Sequence, residues 1–452
     1  MTRKFKTADY EKVLDLQISL REVLPPEHLS RFIVDVIAQL DMSRLYAQYG
    51  ELGAPPYAPE LLLGLLFYGY ATGVFSSRKI ERATYEVLPF RFIAGDKHPD
   101  HATIAAFRKQ FLSELKDLFV QILLIGQAMG ELQLGNVSVD GSKIHADASK
   151  SKAISYKRLL AIEAFLQGEV EELFALAEAA DGGQLPEEMN VEDEIERRRQ
   201  QLKRLGEAKK ILEARAQARY EAEQAEYEAK LREREEKAAK KGRKPGGRKP
   251  KPPTPGPRAK DQYNFTDPDS RIMKNSSNSG FDQHYNVQVV VEHDSRLIVG
   301  NLLITQTNDK QAALPTIDSV PPAIGKPESA ILDNGYFSEA NIKGLEVRNI
   351  APYIATGRTP HHQSWRRFFT EESSPPAEDA SAREKMAYKL CTDIGDALYR
   401  LRKSTVEPVI GIIKEVLGFR QFSLRGRANA AGEWTLVCLA YNLKRLHTLH
   451  PA

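Results

Sequence analysis

Cysteine is scarce in this chain of 452 residues, which contains only Cys391 and Cys438. Two cysteines so far apart exclude the disulfide framework of a small secreted protein, and they indicate the reducing environment of the cytoplasm. We expect both to be buried as small apolar side chains. The charged start of the chain, MTRKFKTADYEKV, lacks the apolar stretch of a secretory signal.

Long apolar runs are also missing. The most apolar run, Leu61 to Phe75, contains three glycines and is shorter than the ~20 residues of a membrane-spanning helix. We therefore expect a buried helix there and no membrane partner. Charge of one sign is not in large excess either: 64 Lys and Arg against 61 Asp and Glu give a net charge of +3. The distribution of charge along the chain is therefore more informative than its total.

The first region, residues 1–130, is expected to form a helical DNA-binding domain. In HPDHATIAAFRKQFLSELKDLFVQILLIG, the residues Asp100 and Thr103 are candidate N-caps, and helix-period apolar positions follow them. Short helices joined by tight turns are compatible with a helix-turn-helix DNA reader, in which Arg108 and Lys109 would lie near the contact surface. A plain helical bundle with a solvated basic face is the alternative.

Residues 151–260 are predicted to be a charged helical insertion with a basic tail. From Glu192 to Lys241, helix-forming charged residues and Ala dominate. Ile195 and Leu202 are seven residues apart, as are Leu205 and Leu212, which indicates a coiled-coil hairpin. Beyond these leucines the apolar positions are mostly Ala, so a single solvated helix is the alternative.

The tail at residues 237–260 holds ten Lys or Arg, six Pro and no acid. Such a composition cannot bury a core and predicts disorder. A cationic tail binds polyanions by releasing counterions from phosphates. The candidate DNA contacts are Arg243, Lys244, Arg248 and Lys249, and a soluble linker is the alternative.

Strand-like patterns flank the insertion, and together they predict an α/β domain from residues 131–150 and 261–452. A short β-like run leads into Asp140, the segment Tyr285–Thr305 reads as a hairpin, and Glu328–Gly357 reads as strand, turn, helix and strand. A three-strand meander followed by a βαβ unit and covering helices is typical of an α/β domain with a mixed sheet.

Three acids stand at informative places in this domain. Asp140 and Asp333 are expected near strand ends, where α/β proteins build sites. Glu407 is expected at the start of a helix whose N-cap is Ser404 or Thr405, because Pro408 fits in a first turn. Lys414, two turns later, would share a face with Glu407.

Carboxylates brought together repel, and a hard divalent cation would neutralise them. Their oxygens suit Mg²⁺ or Mn²⁺, and two such ions would support displacement at phosphorus. Lys414 would position the DNA backbone. The alternative is that Asp140 and Asp333 merely cap turns with the residues that follow them.

The amino-acid sequences around these acids indicate a protein family more specifically than the spacing of the acids does. VSVDGSKIHADAS around Asp140, ILDNGYFSEANI around Asp333 and STVEPVIGIIKEVLGFRQFSLRG around Glu407 resemble the DDE transposases of bacterial insertion sequences. The closing GEWTLVCLAYNLKRLH is similar to the end of that family. The stretch from Arg31 to Leu115 resembles the helical domain that precedes the family's catalytic domain.

The resemblance implies a ribonuclease H-like catalytic domain in which Asp140, Asp333 and Glu407 are the first, second and third acids. The family's third motif reads Tyr, Arg, Glu and Lys, with six residues between Glu and Lys, as between Glu407 and Lys414 here.

The upstream half of that motif departs from the family pattern. Tyr399 and Arg402 each lie one residue early, which leaves their roles open, although Arg402 is retained as a candidate DNA contact. Asp147 for the first acid and Glu415 for the third are nearby alternatives.

The resemblance thus implies a transposase that binds terminal inverted repeats and performs Mg²⁺- or Mn²⁺-dependent DNA cleavage and strand transfer, using two ions. Its partners would be the inverted repeats, target DNA and further copies of itself as a homodimer or larger oligomer. It would work in the bacterial cytoplasm at the nucleoid. The alternatives are a catalytically inactive transposase-derived DNA-binding protein, a ribonuclease H-like nuclease and a helical scaffold built on the insertion.

Overall fold

A computed structural model describes residues 19–50, 56–180, 190–241, 249–275, 280–357, 375–377 and 379–450. The predicted DNA contacts Arg243, Lys244 and Arg248 lie outside these residues. The chain divides into two compact units: one comprises Met1–Ile144 with Asn286–Ala452, and the other His145–Tyr285. No helix in the described ranges is both long and apolar enough to cross a membrane.

The first unit begins with helices, as the apolar periodicity predicted. Apolar side chains cover nearly the whole surface of the helix at residues 59–71, and its residues are almost all buried, which makes it the centre of this helical region. Asp100 caps the helix at 101–110 by accepting a hydrogen bond from the Thr103 amide at 2.9 Å. The helices are α1 (Leu20–Val23), α2 (Leu29–Ile37), α3 (Ser43–Tyr46), α4 (Pro59–Ala71), α5 (Ser77–Glu86), α6 (Leu88–Ile93), α7 (His101–Gln110) and α8 (Leu115–Ala128).

A mixed sheet follows these helices. Its strands in chain order are β1 (Asn136–His145), β5 (Phe281–Glu292), β6 (Ile298–Ile304), β7 (Ser329–Leu332) and β8 (Ala351–Ile354), while β2 (Ala153–Ser155), β3 (Gln262–Asn264) and β4 (Arg271–Lys274) belong to the second unit. Within the first unit the order is β6, β5, β1, β7, β8. The predicted hairpin is confirmed, because β5 and β6 pair antiparallel. β7 pairs in parallel with both β1 and β8.

Helices cover this sheet. They are α11 (Ala313–Ile317), α12 (Glu339–Val347), α13 (Ala382–Cys391), α14 (Asp393–Gly411) and α15 (Arg427–Leu449). α12 supplies the crossover between β7 and β8, and Ser338 caps it as predicted, accepting from the Asn341 amide at 3.1 Å. α15 is buried along most of its length and packs on β6, α4 and α8. The mixed α/β architecture with N-terminal helices is therefore confirmed.

The second unit is built on a helical hairpin, which confirms the coiled-coil interpretation over the single-helix alternative. α9 (Tyr156–Ala180) packs along α10 (Val191–Lys241). Leu205 and Leu212 are buried in one cluster with Leu159 and Leu166, and Ile195 is buried in a second cluster. β2 and β3 pair antiparallel at the base of the hairpin.

The expectation of a wholly disordered basic tail is wrong for its described residues. Residues 237–241 complete α10. Further on, Arg219 of α10 donates to the Gly256 carbonyl at 3.1 Å, and Arg258 donates to Glu223 at 2.8 Å. Hydrogen bonds and an ion pair with the long helix therefore order this end of the tail despite its composition. Lys249 is exposed.

Two further expectations are corrected. Cys438 is buried, but Cys391 is exposed at the end of α13. Glu407 and Pro408 lie late in α14, not at its start, and Thr392 is the N-cap. The hydroxyls of Ser404 and Thr405 donate back to the Leu401 carbonyl at 2.9 and 2.8 Å, so both residues sit inside the helix.

Candidate active site

Strand register brings the first two acids together. Val139 of β1 is opposite Leu332 of β7 in the parallel pair, and this is the last pair in the register. Asp140 and Asp333 are the next residues on each strand, so they emerge side by side at the carboxyl end of β7. β1 itself continues to His145. Asp140 is thus in the middle of a strand, and only Asp333 stands at a strand end as predicted.

Both aspartates also hold the local backbone. The Gly141 amide donates to Asp140 Oδ1 at 2.8 Å, and the Gly335 amide donates to Asp333 Oδ1 at 2.8 Å. Asp333 thus caps the turn that follows it, as the alternative expected, whereas Asp140 accepts from the next amide within β1. The second oxygen of each is directed elsewhere.

Arg402 joins all three predicted acids. Its Nη2 lies 2.8 Å from Asp140 Oδ2 and 3.9 Å from Asp333 Oδ2, and its Nη1 lies 3.0 Å from Glu407 Oε1. The Arg402 side chain is 10% exposed, whereas Asp333 is 39% and Glu407 48% exposed. Three acids separated by up to 267 residues of sequence thus converge on one buried guanidinium.

The electrostatics of this cluster are those of incompletely neutralised acids. Burial raises the pKa of Asp140 to about 6; Arg402 and the Gly141 amide act in the opposite direction, and Asp333 and Glu407 raise it further. Burial lowers the pKa of Arg402, but the carboxylates outweigh this effect and the net shift is upward. Three negative charges face one positive charge, so the cluster favours additional cations.

A buried hydrogen-bond chain fixes α14 against β1 behind the acids. Thr405 Oγ1 lies 3.3 Å from Ser138 Oγ, and Ser138 Oγ lies 2.8 Å from His293 Nε2. Ser138 precedes Asp140 by two residues and therefore lies on the same face of β1. These contacts position the helix that carries Arg402 and Glu407.

Lys414 and Tyr399 also face this region. Lys414 Nζ donates to Ser142 Oγ at 3.2 Å, which places the ammonium beside β1 two residues beyond Asp140, and burial lowers its pKa. Burial raises the pKa of Tyr399, and Asp333, Glu407 and Asp140 add to the shift while Arg402 opposes it. Arg402 therefore contacts the acids although it lies one residue early in the third motif, and Tyr399 lies within electrostatic range of them.

A network of polar side chains next to Asp140 was not predicted. Gln288 Nε2 donates to Asn286 Oδ1 and to Asp309 Oδ1, both at 2.9 Å, and Gln288 Oε1 accepts from the Tyr336 hydroxyl. A Cβ on Gly141 would clash with the Gln288 amide, so any other residue there would have to displace that amide. Asn286 and Gln288, two buried amides at alternate positions of the otherwise apolar stretch from Tyr285 to Val291, were the available signal.

The cluster contains the oxygen donors that a divalent metal needs, but these oxygens are not arranged around a common metal position. Among the residues that the structure describes, no group of three His, Cys, Asp or Glu side chains is placed to hold a metal ion. The three carboxylates instead point at Arg402. Carboxylate oxygens in excess of positive charge are nevertheless the ligand set that Mg²⁺ and Mn²⁺ prefer.

The remaining predicted residues have other surroundings. Glu415 is exposed and pairs with Arg420, so it is not a substitute for Glu407. Asp147 lies beyond β1 in the second unit.

Lys109 is exposed on α7. Its neighbour Arg108 is buried and donates to the Tyr70 hydroxyl at 3.0 Å and the Phe75 carbonyl at 3.1 Å, so it is not available for the predicted DNA contact.

Two family models match the chain. Residues 18–110 match a transposase domain (DUF772), and residues 253–443 match a transposase DDE domain. The chain belongs to the DDE transposases of insertion sequences. No curated protein and no solved structure matches it significantly.

The catalytic domain of this transposase is ribonuclease H-like. Asp333 and Glu407 lie inside the matched DDE segment, whereas Asp140 lies upstream of it. Asp140 is linked to the other two acids by the pairing of β1 with β7 and by Arg402.

Proposed function

We propose that this transposase cuts the DNA at the ends of its element and joins the freed 3′-hydroxyls to target DNA, using divalent metal ions held by Asp140, Asp333 and Glu407. The observation that supports this most strongly is the convergence of the three carboxylates on one guanidinium. Bound there, Mg²⁺ or Mn²⁺ supplies activation of the attacking oxygen and stabilisation of the leaving oxygen.

The protein's own groups have separate tasks in this proposal. Asp140 and Asp333 are held by backbone amides through one oxygen each, and the other oxygen, which here is directed at Arg402, is the one that would coordinate. Lys414 is anchored by Ser142 near Asp140 and contacts the phosphate of the cleaved strand. Because Lys414 is half-buried, its ammonium loses little freedom on binding and orients that phosphate against the carboxylates.

The N-terminal helices and the basic tail are proposed to bind the inverted repeats and target DNA. Lys109 is exposed on α7, and Lys249 is exposed in the tail. The tail residues Arg243, Lys244 and Arg248 are included as DNA contacts on the basis of the sequence alone. Two ends must be held during transposition, so a homodimer or larger oligomer is expected on DNA, with the protein at the nucleoid.

The test uses the full-length protein with a duplex that carries the element's end. We expect Mg²⁺-dependent cleavage followed by joining of the 3′-hydroxyl end to a target plasmid. End binding without cleavage would indicate the inactive DNA-binding alternative. Cleavage of any duplex or RNA–DNA hybrid, with no strand-transfer product from a pre-cut end, would indicate the nuclease alternative.

A further inference from the structure

Arg402 occupies the position that a cation shared by the three acids would take. Its two terminal nitrogens contact Asp140 and Glu407 at 2.8 and 3.0 Å and approach Asp333 at 3.9 Å. The shared cation is therefore a guanidinium in this conformation. This is consistent with the lack, among the described residues, of any three-ligand group ready for a metal.

The Arg402 guanidinium is not fully satisfied there. Its Nε is buried and has no hydrogen-bond partner among the residues that the structure describes. An unpaired buried donor is unfavourable, so the present conformation holds the carboxylates together without being the best environment for Arg402. Departure of the side chain would relieve this cost once another cation neutralised the acids.

We propose that Arg402 is a competing internal cation: it stabilises the three acids in the metal-free protein, and it must leave when metal binds. The proposal rests on the proposed metal site at Asp140, Asp333 and Glu407. A carboxylate oxygen that accepts a guanidinium N–H bond is a weaker ligand for an ion, and two cations side by side among these carboxylates repel each other. Arg402 is thus a positioning residue that keeps the ligands together and sets the affinity for metal.

Departure of Arg402 also couples the binding of metal to the binding of DNA. A guanidinium released from the acids remains next to them on α14, where it can bind a DNA phosphate bidentately. Metal binding therefore frees a DNA contact. Because coupling is reciprocal, DNA that captures Arg402 must strengthen metal binding by the same factor.

The experiment is a Mn²⁺ titration of the full-length protein without DNA, followed by calorimetry or by the electron paramagnetic resonance of free Mn²⁺. We expect Arg402→Gln to bind Mn²⁺ at least tenfold more tightly than the wild type and Arg402→Lys to be intermediate. In EDTA the melting temperature of Arg402→Gln should fall, and saturating Mn²⁺ should close most of that gap. Arg400→Gln is the matched control, because Arg400 lies on the same helix but is 69% exposed and pairs with Asp396.

The outcomes separate this inference from the proposed function. Suppose that Asp333→Asn abolishes Mn²⁺ binding but Arg402→Gln leaves it unchanged or weakens it. That result would refute the competition between Arg402 and metal while supporting the metal site. Absence of Mn²⁺ binding in both the wild type and a folded Arg402→Gln would overturn both. If Arg402→Gln does not fold, the wild type still tests the proposal: the Arg402 Nε–H resonance should shift on Mg²⁺ addition, and an unchanged resonance at saturation would refute it.

Discussion

The guanidinium of Arg108 lies 3.9 Å from the carboxylate of Glu433, and both side chains are buried. Glu433 also accepts from the Tyr70 hydroxyl and from the Ser423 and Leu424 amides, each at 3.0 Å. This network connects α4 and α7 of the N-terminal region to α15, the last helix. A residue that resembled a DNA contact in the sequence is therefore a structural element of the core.

Arg108→Ala should destabilise the protein. Removal of one member of a buried ion pair leaves the other charge uncompensated, and a loss of about 3–5 kcal/mol in the free energy of unfolding is expected. Urea denaturation measures it, and Lys109→Ala, an exposed neighbour on the same helix, should change stability by less than about 0.5 kcal/mol. Equal stabilities of the two variants would contradict the structural role of Arg108.

Substitution of any of the three acids should abolish DNA cleavage. Asp140→Asn, Asp333→Asn and Glu407→Gln each remove one charged ligand while keeping the side-chain shape, so end binding should remain largely intact. Gel-shift and cleavage assays on the same end-bearing duplex measure the two properties. Glu415→Gln is the control, because Glu415 is exposed and paired with Arg420. A variant of the trio that cleaves at the wild-type rate would remove that residue from the site.

The stability of the metal-free protein should depend on Asp140. The pKa of Asp140 is about 6 in the folded protein, against about 3.9 in the unfolded chain. Between these values the folded state binds a proton that the unfolded state does not, so stability falls as pH rises from about 4 to about 6, by at most about 3 kcal/mol.

Asp140→Asn carries no charge at this position and should escape that loss. Urea denaturation in EDTA at pH 4.5 and pH 7.5 should therefore show the variant gaining stability relative to wild type at the higher pH. The same difference at both pH values would mean that Asp140 has an ordinary pKa.

The basic tail should contribute charge to DNA binding without specificity. Replacing Arg243, Lys244, Arg248 and Lys249 by Gln should reduce the slope of log affinity against log salt, by roughly one for each DNA phosphate that the tail no longer neutralises. Titrations of an end-bearing and an unrelated duplex at several salt concentrations would measure this. An unchanged slope would make the segment a linker.

Much of the fold was predictable because periodicity reports burial. The hairpin of β5 and β6, the crossover through α12 and the paired insertion helices all follow from apolar spacing. The prediction for Pro408 was wrong because the preference of proline for a helix start outweighed the surrounding helical pattern. Ser404 and Thr405, the predicted caps, instead bond back to Leu401 inside the helix.

The three acids were predicted from the sequence, but their contact with Arg402 was not. Arg402 is five residues before Glu407, a spacing that places two side chains on different faces of a regular helix. The other acid that Arg402 contacts at short distance, Asp140, comes from a strand more than 250 residues earlier. Similarly, nothing local distinguishes buried Arg108 from exposed Lys109, since only the position of Glu433 in three dimensions decides which of them is in the core.

Whether the three acids share one metal site can be measured directly. Mn²⁺ should be titrated into the full-length protein and into Asp140→Asn, Asp333→Asn and Glu407→Gln, each checked for folding by circular dichroism. We predict saturable binding by the wild type and at least a tenfold loss of affinity in every variant. Wild-type affinity in any one folded variant would contradict a site shared by all three acids.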